Sequence, residues 1–181
     1  MSKVYQLKVS LMDSKPPIWR RLQVPADITL DRLHRVIQVA MGWTDTHLHQ
    51  FVAGDTTYGV PHPDYDFGVV DERRVRLSRV ARGEKARLRY DYDFGDDWRH
   101  QLLVEKVLPA EPGVRYPRCL AGKRNCPPED CGGVWGYADF VEAVRDAGHP
   151  DHQQMLEWVG GEFDPEAFDV EETNRALEEV G

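Results

Sequence analysis

Two neighbouring stretches decide the fold: Tyr5-Gln6-Leu7-Lys8-Val9-Ser10-Leu11 and Ile18-Trp19-Arg20-Arg21-Leu22-Gln23-Val24. Apolar and other side chains alternate in both, which is typical of half-buried β-strands. Between them lies Asp13-Ser14-Lys15-Pro16-Pro17, a run of residues that favour turns. The pattern therefore predicts a β-hairpin at the start of the chain.

A helix and a third strand are expected after the hairpin. Thr29 is a favourable N-cap residue, Asp31 lies near the positive end of the helix dipole, and Gly42 ends the helix. His34 lies off the apolar stripe, so we expect it at the surface. Residues 47–53 then favour a strand. The apolar stripe of the helix consists of Leu30, Leu33, Ile37, Ala40 and Met41.

A second hairpin is predicted from residues 86–92 and 98–105, with Gly95 and Asp96 in its turn. After residue 136 the apolar period becomes helical. This order predicts an α+β fold with an antiparallel or mixed sheet. The sheet would contain a β-β-α-β, β-grasp-like core and the further hairpin, with helices at the C-terminal end.

We expect one domain over residues 1–181. It divides into a sheet-rich part at 1–108, an irregular Cys/Gly/Pro loop at 109–136 and an acidic helical part at 137–181. Residues 139–181 hold 13 Asp and Glu side chains against two Arg, which favours a well-solvated helical surface.

Composition excludes several classes of protein. The chain is 41% hydrophobic and 30% charged, as in ordinary globular domains. No apolar run approaches the roughly 20 residues that span a bilayer, so no membrane partner is expected. The N-terminal residues lack a signal-peptide core. We therefore expect a cytoplasmic protein.

All three cysteines, Cys119, Cys126 and Cys131, fall within one Gly/Pro-rich window. In a cytoplasmic protein such clustering favours a metal site, and structural zinc takes four nitrogen or sulfur ligands. His100 is the preferred fourth ligand because strand alternation places it on the buried face, and His49 is the next candidate. Unliganded thiols packed as small hydrophobes are the alternative. Redox exchange is disfavoured because no CxxC pair is present.

Two other groups could carry chemistry. Residues 93–97 with His49 and His100 could form the site of a metal-dependent enzyme, although turn chemistry alone explains the aspartates. A basic run could track nucleic-acid phosphates, although no reading motif accompanies it and a solvated surface paired with acids is the alternative. Its candidate contact residues are Arg73, Arg74, Arg76, Arg87 and Arg89.

Five motifs in this order resemble the plasmid pRiA-type ORF-three-like family, some of whose members are labelled TnpR-like passenger proteins of insertion elements. The resemblance covers nearly the whole chain and implies a single α+β domain. It strengthens the assignment of Cys126, Cys131 and His100 as metal ligands, because they lie inside the matching motifs. The motifs are Ile18-Trp19-Arg20-Arg21, Trp43 with His47-Leu48-His49-Gln50-Phe51, Tyr92-Asp93-Phe94-Gly95-Asp96-Asp97-Trp98-Arg99-His100, Cys126-Pro127-Pro128-Glu129-Asp130-Cys131-Gly132-Gly133 with Gly136-Tyr137, and Phe163-Asp164-Pro165-Glu166-Ala167-Phe168-Asp169.

The function we expect is a non-enzymatic cytoplasmic module, stapled by zinc and acting through a protein partner. The resemblance adds a link to mobile elements, but no serine-recombinase motif is present. Metal-dependent catalysis and nucleic-acid association are the alternative functions.

Overall fold

The computed structural model describes residues 2–180 and shows one eight-stranded sheet with five α-helices. Met1 and Gly181, the two ends of the predicted domain, lie outside the described residues. The strands are β1 (Lys3–Leu11), β2 (Trp19–Pro25), β3 (His49–Ala53), β4 (Thr56–Gly59), β5 (Val70–Asp71), β6 (Arg87–Tyr92), β7 (Trp98–Pro109) and β8 (Arg118–Lys123). The helices are α1 (Leu30–Met41), α2 (Leu77–Val80), α3 (Gly133–Arg145), α4 (His152–Val159) and α5 (Val170–Leu177), with a 3-10 turn at Glu72–Arg74.

The sheet has the strand order β5-β4-β3-β6-β7-β1-β2-β8. Its neighbours are antiparallel except for β4 and β5. The predicted α+β class, both hairpins and the C-terminal helices are confirmed. Strand β3 joins the sheet through β6 and not through the first hairpin. None of the helices within residues 2–180 combines the length and apolar character that crossing a membrane needs.

Helix α1 buries the predicted apolar stripe and ends at Gly42, which adopts a left-handed φ of 113°. The expectation for His34 is wrong, because this side chain is buried. Gln38 donates a hydrogen bond to the Tyr90 hydroxyl, and that hydroxyl donates to His34 Nδ1. The opposite ring nitrogen donates to Asp45. Polar partners on both sides therefore stabilise a histidine that periodicity alone places outside the core.

The prediction of an irregular loop at 109–136 is wrong in part, because strand β8 lies within this range and α3 begins at Gly133. Strand β8 pairs with β2 at the sheet edge, with a register shift beside Leu22. Its own residues alternate poorly and include Gly122. The pairing partner, and not local pattern, therefore determines this strand.

The side chain of Arg20 is almost completely buried and crosses from β2 to three other parts of the fold. Its guanidinium lies 4.0 Å from the ring of Phe168. Burial lowers the pKa of Arg20 to about 10. It donates hydrogen bonds of 2.7–3.2 Å to the carbonyls of Trp19, Ala40, Met41 and Lys123.

Replacing this guanidinium with an ammonium tests its role. We expect Arg20→Lys to lower the free energy of unfolding by about 3 kcal/mol, because a lysine cannot reach all four carbonyls and leaves a buried charge poorly paired. Arg21→Lys is the matched control, since Arg21 pairs with Glu105 near the surface and should lose about 1 kcal/mol or less. Urea unfolding measures both. Equal losses would contradict the assigned role.

Candidate metal centre

The four predicted zinc ligands do not converge. Cys119 Sγ donates to the Ala121 carbonyl at 3.4 Å, Cys126 is buried beside Gly42, and Cys131 is half-buried. Within residues 2–180, the groups of three or more His, Cys, Asp or Glu ligand atoms lying within 4.8 Å of one another include no cysteine. They also exclude His100. The geometry therefore gives this predicted site no support.

His100 is held as a neutral core imidazole. Trp43 Nε1–H donates to its Nε2 at 3.2 Å, and its Nδ1–H donates to the Tyr90 carbonyl at 3.1 Å. Burial lowers the pKa of His100 to about 4. Both ring nitrogens have protein partners, so neither faces an open coordination position.

The cysteines have the properties of packed thiols. Burial raises the pKa of Cys119 and of Cys126, and it raises the pKa of Cys131 to about 12. Metal binding and disulfide exchange both need the thiolate. The thiol form is therefore favoured at neutral pH, in keeping with the alternative of small hydrophobic packing.

A different set of ligand atoms does converge, at His47, Asp93 and Glu129. His47 precedes β3, Asp93 follows β6 and Glu129 lies between β8 and α3. The distance from His47 Nε2 to Asp93 Oδ2 is 3.6 Å, and to Glu129 Oε2 it is 3.8 Å. Three segments far apart in sequence thus meet at one point.

Glu129 is oriented through one of its two oxygens. Oε1 accepts hydrogen bonds from the Thr44 backbone N–H, the Thr44 hydroxyl and the Tyr92 hydroxyl, at 2.9–3.0 Å. Oε2 is buried and has no hydrogen-bond partner, and the same holds for His47 Nε2. Such orientation by outer partners, with the other atoms left unpaired, is the arrangement found around metal ligands.

Asp93 repeats this arrangement. Its Oδ1 accepts from the backbone N–H groups of Gly95 and Asp96, while Oδ2 faces His47. The backbone of Asp93 has a left-handed φ of 60°, a conformation that aspartate tolerates better than most residues. The turn chemistry expected from the sequence is therefore present and also aims the carboxylate inward.

Two further carboxylates border the cluster. Asp130 Oδ1 lies 2.9 Å from His47 Nε2, although the contact lacks hydrogen-bond geometry. Asp96 groups with Asp93 and Asp130, and its Oδ2 accepts from the Gly132 N–H. One imidazole thus lies among four carboxylates.

The histidine cluster of His34, Asp45 and His49 cannot serve the same purpose. The two imidazole rings stack with centroids 3.4 Å apart and planes inclined by only 7°. A nitrogen lone pair lies in its own ring plane, so parallel rings cannot both direct lone pairs at one ion. His49 also pairs with Glu72, at 2.9 Å to each carboxylate oxygen.

The chain matches the family model described as plasmid pRiA4b ORF-3-like protein over residues 3–172. The chain belongs to this family. It is similar to the uncharacterized protein y4hQ of Sinorhizobium fredii (strain NBRC 101917 / NGR234), with 40% identity over 99% of this chain and 93% of the relative. The resemblance seen in the sequence motifs is confirmed.

A solved structure is also similar to this chain. It is the crystal structure of MM3350, a protein of unknown function from Methanosarcina mazei Go1. The two chains share 41% identity and superpose with a TM-score of 0.86, over 95% of this chain and 98% of the other. The family match over residues 3–172 includes His47, Asp93 and Glu129.

Of the residues proposed for an enzyme, the structure places Asp93 in the converging cluster and Asp96 at its border. Asp97 is exposed and pairs with Arg99, whereas His49 and His100 are engaged elsewhere. Residue-type reasoning missed His47. It also missed Glu129 and Asp130, although both lie between Cys126 and Cys131 in a motif already singled out.

The basic run pairs largely with nearby acids. Arg73 and Arg74 both pair with Asp71, and Arg76 approaches Asp27. Arg89 pairs with Asp91 through two hydrogen bonds of 2.8 and 3.0 Å. Arg87 is exposed. Nucleic-acid binding by this run stays a prediction, and the pairing favours the alternative of a solvated surface.

Gly133 controls the approach of α3 to the β6–β7 turn. It has a φ of 75°, and an added Cβ would lie 2.5 Å from the Asp96 carbonyl oxygen. We expect Gly133→Ala to destabilise the fold by about 2–4 kcal/mol and to disturb the cluster. Gly160→Ala is the control, because Gly160 has a φ of 99° with nothing within 4 Å and should cost only about 1 kcal/mol. Equal costs in urea unfolding would contradict the assigned contact.

The pKa of His100 gives a pH prediction. Because its folded pKa lies near 4 and the unfolded value near 6.5, the unfolded chain binds more protons between these pH values, and stability falls as pH falls. From pH 7 to pH 5 this residue should remove about 2 kcal/mol. His100→Gln keeps an acceptor for the Trp43 N–H. In this variant the free energy of unfolding should lose the part of its pH dependence that comes from His100. His62→Gln, at an exposed position, should keep it. Equal slopes for His100→Gln and the unsubstituted protein would show the assignment to be wrong.

Proposed function

We propose that the protein is a metal-stapled module in which one divalent cation binds His47, Asp93 and Glu129. Asp130 and Asp96 complete the oxygen-rich surroundings. The main support for this site is that His47 Nε2 and Glu129 Oε2 are buried, lack hydrogen-bond partners and lie 3.8 Å apart. The ion would thus staple the fold, as expected from the sequence, but through ligands other than the cysteines.

The spacing of the atoms suits an ion. Metal–ligand bonds of about 2.1 Å place neighbouring ligand atoms about 3.0 Å apart at right angles and about 3.4 Å apart in a tetrahedron. The 3.6 and 3.8 Å separations need a contraction of about 0.2–0.4 Å for a tetrahedral ion and about 0.6–0.8 Å for ligands at right angles.

Charge favours the same conclusion. The ligand oxygens of Asp93 and Glu129 lie within 4.8 Å of each other. Two carboxylates at that distance repel by about 3 kcal/mol at an effective dielectric constant of 20. A cation between them converts the repulsion into attraction. One imidazole with several carboxylates suits manganese, iron or zinc better than a soft ion such as Cu(I).

Metal binding would join the loop before α3 to the loop before β3 and the β6–β7 turn. The last two are already connected by the hydrogen bond from the Asp93 N–H to the Leu48 carbonyl. Ordering these loops would prepare a surface for a protein partner. Partner contact is supported by exposed apolar side chains grouped around one cavity of about 410 Å³. These side chains are Leu48, Val60, Tyr65, Phe67 and Phe94.

Metal-dependent catalysis is the second candidate. Asp130 has a side chain 67% exposed and borders an open cavity of about 470 Å³. A catalytic ion needs such an open side for water or substrate. Manganese-dependent hydrolysis of p-nitrophenyl acetate that is lost in Asp93→Asn and kept in Asp97→Asn would favour this candidate over a purely structural ion.

Calorimetric titration with Mn²⁺ and Zn²⁺ tests the site. We expect Glu129→Gln and Asp93→Asn each to weaken binding at least tenfold, because each removes a charged ligand. Glu129→Gln keeps an oxygen for the donors to Oε1 and relieves repulsion, so the metal-free variant should unfold at a higher temperature than the metal-free parent. Opposite effects on affinity and stability separate lost ligation from simple misfolding.

Two matched controls accompany this titration. Asp97→Asn changes an exposed carboxylate of the same turn, and Cys131→Ser changes a thiol two residues from Glu129. Both should bind metal as the parent does. Loss of binding in Cys131→Ser with full binding in Glu129→Gln would restore the cysteine site and contradict the proposal.

A further inference from the structure

A separate cavity of about 330 Å³ lies between the β1–β2 turn, α3 and the segment before α5. Trp135 stands at this cavity with 81% of its surface exposed. The apolar lining includes Ile18, Val134, Ala138, Val141 and Pro165. A concave apolar surface with a few polar groups is the usual form of a small ligand site.

Two arginines converge at this cavity on one carboxylate. Arg145 Nη2 lies 3.1 Å from Glu166 Oε1, and Arg124 Nε lies 3.1 Å from Glu166 Oε2. Arg124 is largely buried and also donates from Nη1 to the Pro17 carbonyl at 2.8 Å. Its Nε is buried and lacks hydrogen-bond geometry to Glu166. The Arg124 guanidinium is therefore fixed in place by Pro17, whereas its contact with the Glu166 carboxylate is weak.

The charges at this cavity favour an anion. Lys15, Arg124 and Arg145 face it together with two acids, Asp13 and Glu166. If the Glu166 side chain moves away, the cavity is lined by three cationic side chains and one carboxylate, that of Asp13. A planar carboxylate suits a pair of guanidinium groups because each can supply directed N–H donors.

We propose that this cavity binds a carboxylate attached to an apolar or aromatic group, as found at the C-terminal residue of a peptide. The carboxylate displaces Glu166 between Arg124 and Arg145, and the apolar group lies on the floor formed by Ile18 and Val141. Trp135 covers the preceding peptide unit. Capture of a chain terminus is an established mode of peptide recognition. Glu166 thus acts as an internal competitor for the site.

The shape of the cavity favours a peptide C-terminus, and not a free small acid, as the source of the carboxylate. A volume of about 330 Å³ accommodates one large side chain with its carboxylate, at the low end of ligand pockets. The exposed indole at the same cavity offers a surface on which a chain can continue outward. None of the proposed metal ligands lines this cavity, so carboxylate binding here does not depend on the metal.

Calorimetry and tryptophan fluorescence test the site with four probes: N-acetyl-Gly-Phe with a free carboxylate, its C-terminal amide, 3-phenylpropionate and acetate. We expect the free-acid peptide to bind at least tenfold more tightly than the amide or acetate, and more tightly than 3-phenylpropionate. Trp135→Phe should remove most of the fluorescence change and identify the site, since the chain has five tryptophans.

Three variants separate competition from general damage. Glu166→Gln should raise the affinity for the free-acid peptide about tenfold, because the internal carboxylate is gone. Arg145→Gln should lower it at least tenfold, and Arg175→Gln, on the exposed side of α5, should leave it unchanged. A gain of affinity in Glu166→Gln cannot come from unfolding.

Four outcomes would overturn the inference. They are equal binding of acid and amide, equal binding of acetate and peptide, no gain in Glu166→Gln, and an unchanged affinity in Arg145→Gln. Tighter binding of 3-phenylpropionate than of the peptide would overturn the peptide source, because the ligand would then be a free small acid.

Discussion

The arrangement of the other elements depends on the hydrogen bonds that the buried Arg20 guanidinium donates to backbone carbonyls. An arginine stays charged in the interior, so it must find acceptors wherever it is placed. Arg20 finds them in backbone carbonyls, two of which belong to Ala40 and Met41 at the negative end of the α1 dipole. A third belongs to Lys123 at the end of β8. One side chain therefore fixes both the loop that leads to His47 and the segment that leads to Glu129.

The carboxylate cluster is the second constraint, because the Asp93 and Glu129 carboxylates lie close together and repel each other. Asp93 and Glu129 are each held by hydrogen bonds to one oxygen, so neither is free to turn away from the other. In the proposed site, an ion bound between the two carboxylates would convert this repulsion into affinity. Binding of an ion to the folded state alone also raises its stability by mass action. The three loops would therefore be ordered according to the supply of metal.

Sequence pattern predicted the elements whose own residues carry the signal. Alternation gave β1, β2, β6 and β7, and helical spacing gave α1. Strand β8 was missed because β2 determines its pairing. At the site, thiols were preferred because they bind zinc strongly, yet burial makes them packing residues. Residue type indicates Asp93 but not Glu129, because convergence of loops from three parts of the chain depends on tertiary structure that no local pattern encodes.

Anomalous X-ray scattering from crystals soaked separately in Mn²⁺ and Zn²⁺ tests the central claim most directly. The proposal expects one peak for each ion, about 2.0–2.3 Å from His47 Nε2 and from a carboxylate oxygen of both Asp93 and Glu129. A zinc peak bonded to Cys119, Cys126 and Cys131 would contradict it. The absence of any peak at His47 under saturating metal would contradict it as well.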